Sequence, residues 1–368
     1  MKTYRVAIVG TGGIAAVHAA NLARTDGRAQ LVAACDVDEA RLQAFTAEHG
    51  IAAGFQSLSE LLAEAKPDIV HLCTPPMLHI DQAIQCLKAG AHVLSEKPPA
   101  LSLADFDRLN TAGRANGAQF SCVFQHRFGD ASAAARKLIG GSDFGRPLVA
   151  RCDTLWYRPD NYFDLPWRGT WKAEGGGPTM GHGIHQFDLL LHLLGPWEEV
   201  VAIAARQARA TSTEDLSAAL VRFENGATAT VINSLLSPRE TSEIRIDCEF
   251  ATVELTHLYG YSTSNWTVTP APNHESSVAE AWKAEPLERG SGHSAQFLAM
   301  YDALDAELPL PADAESSRQT LEFAAAIYAS AFTGQAVRRG EIVAGHPFYG
   351  GMDGDGLGTR VLASTARA

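Results

Sequence analysis

The groups best placed to do chemistry in this chain are Lys97, set in Ser95-Glu96-Lys97-Pro98-Pro99, and the histidines that follow Gly175-Gly176-Gly177. The run Ala91-His92-Val93-Leu94 has the length and apolarity of a strand buried on both faces, and Pro98, lacking an N–H, must end it. Lys97 therefore stands at a strand's carboxyl end, where an open parallel sheet binds its ligands. A buried lysine whose ammonium is disfavoured by desolvation or a neighbouring cation can exchange a proton near neutrality, which is acid/base chemistry. In the second stretch, Met180, Ile184, Phe187 and Leu191 predict a buried helical stripe, and His182, His185 and His192 fall on another face of that helix. Histidines so spaced can address one pocket. An H-x-x-H without a nearby pair of carboxylates is a poor metal site, so no metal is expected.

A third group of residues points to a dinucleotide. The strand Val6–Val9 runs into Gly10-Thr11-Gly12-Gly13-Ile14-Ala15 and then into helical spacing. Such a turn lets backbone approach a pyrophosphate, which the helix amino terminus stabilises. A second strand, Leu31–Cys35, ends on Asp36, where an acid can hydrogen-bond a ribose hydroxyl. Asp36 would repel a 2'-phosphate and no arginine follows it directly, so NAD is expected, with NADP the second choice.

The elements that must position these groups alternate. Helices are expected near Glu39–His49, Leu58–Ala65, Leu78–Ala89 and Asp105–Ala115, and further strands at Asp68–Cys73 and Gln119–Phe124. Serial alternation predicts an α/β Rossmann domain, a doubly wound parallel sheet, over residues 1–124. Beyond it the periodicity becomes two: Ile244, Ile246, Cys248 and Phe250 alternate with polar residues, and Glu224-Asn225-Gly226 reads as a hairpin turn. Residues 125–345 are expected to form an α+β domain with an open, mostly antiparallel sheet, and 346–368 an irregular tail. Helices near Thr179–Leu194, His293–Leu304 and Glu315–Phe332 would cover one sheet face, leaving the other to a homodimer or homotetramer.

With 368 residues, 46% hydrophobic and 20% charged, the chain is ordinary for a water-soluble two-domain protein. The formal charge of -12 and the lack of a basic run argue against nucleic acid or anionic membrane as a partner. No apolar run nears the roughly 20 residues of a membrane span and the amino terminus shows no signal-peptide pattern, so a cytoplasmic location is expected. The six cysteines, scattered and mostly in apolar runs, read as reduced core thiols.

The glycine turn at Gly10, Gly12 and Gly13, Thr74-Pro75 with His79, the run Gly90 to Pro98, and Gly175-Gly176-Gly177 leading to His185 and Asp188 together resemble the glucose-fructose oxidoreductase, inositol dehydrogenase and MocA-like (Gfo/Idh/MocA) family. The resemblance implies an NAD(P)-dependent dehydrogenase or reductase acting on the CH–OH of a sugar, sugar derivative or cyclitol. It gives Lys97 contact with the reacting hydroxyl and the nicotinamide ribose, Glu96 the task of orienting it, and Pro98 a cis peptide bond. His185 would contact the sugar near the reacting hydroxyl. An aspartate common four residues earlier in the family is Gly181 here, so either Lys97 with His185 suffices or His182 takes over an acid/base or hydroxyl-binding role. Arg127, Tyr157 and Arg168, with Arg158 and Trp167, lie in segments ahead of this site and suit stacking on and bonding to a polyol. Two rival readings keep the same resemblance: a glycosidase that recycles bound NAD, and a non-enzymatic sensor of sugar or dinucleotide.

Overall fold

The computed structural model describes residues 2–113 and 117–365. Its first sheet is built by β1 (Tyr4–Val9), α1 (Gly13–Leu22), β2 (Ala29–Cys35), α2 (Glu39–His49), β3 (Ala53–Phe55), α3 (Leu58–Glu64), β4 (Ile69–Leu72), α4 (His79–Lys88), β5 (His92–Ser95), α5 (Leu103–Gly113) and β6 (Phe120–Cys122). The strands pair in parallel in the order β3-β2-β1-β4-β5-β6, the doubly wound arrangement. Local signals set the boundaries. Asp38 caps α2 by accepting from Arg41 N at 3.0 Å, and Gly50, at φ 62°, ends it. Ser102 Oγ accepts from Asp105 N at 3.0 Å at the start of α5, whose expected end at Ala115 lies outside the described residues. The short strand β3 was not expected: Ala-Gly-Phe is too brief to show a period of two.

The second sheet takes its elements from α6 (Asp130–Leu138), β7 (Pro147–Tyr157), α7 (Trp171–Glu174), α8 (Ile184–Leu194), β8 (Trp197–Ala205), β9 (Leu216–Phe223), β10 (Thr228–Ser234), β11 (Leu236–Cys248), β12 (Ala251–His257), β13 (Trp266–Pro270) and α9 (Glu275–Lys283). There follow α10 (His293–Asp305), α11 (Ala314–Thr333), β14 (Val337–Arg338) and α12 (Leu357–Thr365). The strand order is β13-β12-β11-β7-β10-β9-β8-β14, antiparallel except for β7 beside β10. Alternation buries Ser217, Ala219, Val221 and Phe223 on the face of β9 turned to the core, and α8 lies against β7 and β11.

The chain divides into two compact units, residues 1–123 with 293–319, and residues 124–292 with 320–368. Residues 293–319 thus join the Rossmann unit, although they were expected in the second domain. The packing gives the reason. On α10, Tyr301 stacks on Tyr4 with ring centroids 5.2 Å apart, Asp302 and Asp305 take the Arg28 guanidinium at 2.6 and 2.8 Å, and Gln296 donates to Cys122 O at 2.7 Å. Phe297, Met300 and Tyr301 are fully buried in that core, each contributing about 2 kcal/mol of apolar burial. Sequence periodicity reports that a helix has a buried face, not which sheet receives it.

The tail differs from the expectation in one element, α12. Residues 346–356 are irregular as expected, though Phe348 is fully buried and stacks on Phe332, and the helix α12 then follows. Five cysteines are buried and Cys248 is partly buried, all as free thiols. Among the described residues no helix is long and apolar enough to cross a membrane.

Candidate active site

The glycine turn closes β1. Gly10 has φ 86°, and a Cβ there would meet the backbone of Cys73 and Thr74 at 2.9 Å, so only glycine fits. Beside Gly12 and Gly13 a Cβ would meet nothing within 4 Å, which leaves the start of α1 open. That start has a glycine N-cap without a side-chain bond and no acid in its first turn. The first amides of a helix lack intrahelical partners, so this uncapped end suits a pyrophosphate. Asp36, at the end of β2, accepts from Thr11 N and Oγ1 at 2.8 and 2.9 Å and from Asp38 N at 2.9 Å. Burial pushes its carboxyl up, but these donors and Arg41 bring it below its ordinary value, so it stands as a fixed anion. Arg41 reaches back to Asp36 at 3.2 Å with more than half its side chain exposed. Sequence reading looked for an arginine directly after Asp36; one turn of α2 supplies it from five residues on. The turn, the uncapped helix and the ribose-side acid fit NAD.

Lys97 follows β5 as expected. Glu96 N donates to Leu72 O at 2.9 Å, Lys97 N donates to Glu96 Oε2 at 3.1 Å, and the Lys97–Pro98 bond is cis. His79, expected at the cofactor, is fully buried. Its Nδ1 lies 2.9 Å from Pro98 O and its Nε2 2.8 Å from Thr74 O, so the ring sits between the segments that follow β4 and β5 and its one N–H bonds one of these carbonyls. Thr74 Oγ1 donates to Gln82 at 2.6 Å.

Glu96 is buried among histidines that the sequence reading missed. His18 Nε2 lies 3.0 Å and His293 Nε2 3.5 Å from Glu96 Oε1, and His18 Nδ1 lies 3.0 Å from His71 Nδ1. His71 sits inside an apolar strand and His293 nearly two hundred residues away, so no local pattern links them.

In the second unit, Thr179–Gly183 is a π-helical turn and α8 begins at Ile184. A Cβ on Gly183 would run into Asn233 Oδ1, and one on Gly177 into Glu214 O. Glu214 is fully buried and accepts from Gly177 N at 3.0 Å and Thr179 N at 3.2 Å, anchoring this turn. Beside Gly181 a Cβ would meet nothing within 4 Å.

Of the histidines expected on one face, His182 lies on the π turn and His185 and His192 lie on α8. His182 packs edge-on to Trp156 at 5.1 Å and near Tyr162 at 6.1 Å. His185 is buried beside His126 at 5.1 Å and Tyr259 at 5.5 Å. Tyr259 lies 6.0 Å from Trp156, so one aromatic wall connects the two. Gln186 bridges His126 Nδ1 at 3.3 Å and His257 Nε2 at 2.9 Å. His192 is away from this wall, and burial pushes it down to about 3. Asp188 pairs with Arg127 and accepts from Thr320 Oγ1 at 2.8 Å. Arg127, expected on the substrate, meets Asp188 of α8 through Nε and Nη2. Tyr157 is 40% exposed, under Arg209, and Arg168 stacks on Tyr162 and Trp167 at 4.1 and 4.4 Å. His126, Trp156, Tyr162, His257 and Tyr259 were missed because strand and loop residues far apart in sequence build this wall.

Comparison with known proteins places these features. Residues 4–124 match the oxidoreductase family with an NAD-binding Rossmann fold (GFO_IDH_MocA), and residues 132–254 match the GFO/IDH/MocA C-terminal domain. WlbA dehydrogenase from Bordetella pertussis, solved in complex with NADH and UDP-GlcNAcA, is 30% identical at a TM-score of 0.77, covering 92% of this chain and 99% of that one. This chain belongs to the Gfo/Idh/MocA oxidoreductase family. Among its family relatives, D-glucoside 3-dehydrogenase of Escherichia coli is 26% identical over 357 residues, 90% of this chain and 97% of that protein. Myo-inositol 2-dehydrogenase of Thermotoga maritima is 28% identical over 237 residues, 62% of this chain and 68% of that protein. This Gfo/Idh/MocA protein is therefore an NAD-binding oxidoreductase whose relatives are sugar and cyclitol dehydrogenases.

Proposed function

We propose that the protein moves a hydride between NAD and a secondary hydroxyl or ketone of a sugar, sugar derivative or cyclitol, with Lys97 as the group that takes or returns the hydroxyl proton. The observation that carries this reading is the position of Lys97. It follows β5 directly after a buried carboxylate, in the same sheet whose β1 ends in the glycine turn, with β4 between them. Ligands of such sheets lie outside the carboxyl ends of these strands. Bound NAD supplies the hydride chemistry. Lys97 accepts the proton as an alcohol becomes a carbonyl and returns it in the reverse direction. Gly10, Gly12, Gly13 and Ile14 hold the pyrophosphate against the start of α1, Asp36 takes the adenosine ribose, and Thr74, Pro75 and His79 shape the strand ends.

His185 binds substrate hydroxyl and assists the proton transfer, and His182 shares that work because Gly181 supplies no carboxylate. Tyr157 and Arg168 offer planar and polar surface to the sugar, and Arg127 contributes through Asp188. The same reading pairs the open face of the second sheet with another copy of the chain as a homodimer or homotetramer. Val201, Ile203 and Leu220 stand exposed there, with Val201 opposite Leu220.

The function is tested by following nicotinamide absorbance with NAD and NADP across monosaccharides, anhydrosugars, keto-glycosides and inositols. Net reduction or oxidation with a member of this panel is expected. Glycoside cleavage without net NADH would contradict it.

A further inference from the structure

We propose that His18, His71 and His293 are positioning residues: together they hold the Glu96 carboxylate against the Lys97 amide and so set Lys97 for proton transfer. The inference rests on Lys97 being the acid/base group. All of these residues lie in the Rossmann unit.

The proton positions follow from the distances. An ionised carboxylate only accepts, so His18 Nε2, 3.0 Å from Glu96 Oε1, must carry its hydrogen. A neutral His18 then has a bare Nδ1, and His71 Nδ1, 3.0 Å away, must be the donor to it. That leaves His71 Nε2 bare, and this atom is buried without a hydrogen-bond partner, on a ring whose centroid lies 4.7 Å from that of Phe297. A bare ring nitrogen is tolerated there better than an unsatisfied N–H. Donors thus run one way, from His71 through His18 to Glu96, with every ring neutral. His293 brings a second ring nitrogen to the same carboxylate oxygen at 3.5 Å. The other oxygen, Oε2, takes the Lys97 N–H.

Charge supports this arrangement. Burial pushes the Glu96 carboxyl up, yet the bond from His18 and the nearby His293 ring outweigh it and hold the group well below its ordinary range. Burial likewise pushes His18 and His71 down, keeping both neutral. The other groups facing Glu96 are Cys73, whose thiol burial and Glu96 both push up, and His79, which is pushed down mainly by burial. A cluster that only filled space would not need a continuous donor chain ending on the residue before the lysine.

The test is the pH profile of kcat/KM of the whole enzyme with NAD and a turned-over substrate. In His18→Ala, Glu96 loses its main donor, so an acid limb should appear or move up by at least about one pH unit, with kcat down about tenfold and NAD affinity little changed. His18→Gln, which can still donate to Glu96, should restore most of the loss. If His18→Ala does not fold, Glu96→Gln serves: it should lose kcat at every pH without a new acid limb. A His18→Ala profile superimposable on wild type, or a fully active Glu96→Gln, would overturn the proposal. So would one equivalent of bound metal in the purified protein, since His18, Glu96 and His293 place ligating atoms within 4.8 Å of one another. Should Lys97→Ala keep full turnover, the function reading itself fails. Should it lose turnover while His18→Ala leaves the profile unmoved, only this inference fails.

Discussion

The Tyr328 hydroxyl donates to Glu214 Oε1 at 2.8 Å, and the same carboxyl accepts the amides of Gly177 and Thr179. One residue of α11 thereby helps secure the turn from which His182 and His185 are presented. Tyr328→Phe removes a donor to a fully buried group and should destabilise the fold by about 1–3 kcal/mol, read as a lower urea midpoint at unchanged m.

Glu214 also predicts a pH effect. Burial pushes it up from 4.5 to about 7, with its donors pulling only part of the way back. Between those values the folded chain holds a proton that the unfolded chain has released, so the contribution to stability is full below 4.5 and is lost as pH rises through 7. Relative to Glu214→Gln, wild type should therefore lose stability, on the order of 3 kcal/mol, between pH 5 and pH 8 in matched urea titrations. A wild type that gained on the variant over that range would refute the assignment.

Gly181 and Gly183 lie two residues apart on the π turn and should respond in opposite ways. Gly183→Ala drives a methyl into Asn233, whose amide donates to Ser217 Oγ at 3.1 Å, and should cost about 2 kcal/mol or more together with a fall in kcat. Gly181→Asp enters open space and should leave Tm within a few degrees while altering the pH profile of turnover, because it adds a carboxylate one turn before His185.

The doubly wound sheet was legible because its strands are apolar runs punctuated by glycine, proline and capping residues, which are local signals. Lys97, Asp36 and the glycine turn were legible for the same reason: each stands at a strand end. His18, His71 and His293 were not, since β4, α1 and α10 bring them together only after folding. The π turn was hidden because a single widened turn leaves the helical period of Met180, Ile184 and Phe187 readable. The pairing of Arg127 with Asp188 was not legible, because the two stand 61 residues apart and meet only after folding.

Cofactor choice should respond to Asp36 and Arg41 if Asp36 takes the adenosine ribose as proposed. Asp36→Ala removes the anion that would meet a 2'-phosphate and leaves Arg41 beside it, so the ratio of kcat/KM for NADP over NAD should rise at least tenfold. Adding Arg41→Ala should take most of that gain away. Initial rates with each cofactor at one fixed substrate concentration check both, and an unchanged ratio in Asp36→Ala would remove Asp36 from the ribose site.

In the proposed reaction Lys97 moves the proton. Its most direct test is the turnover of Lys97→Ala beside wild type with saturating NAD and the best substrate of the panel, on protein shown by urea titration to be folded. A loss of about 10²–10⁴-fold in kcat is expected, the usual worth of a general acid/base. A Lys97→Ala enzyme within threefold of wild type would contradict it.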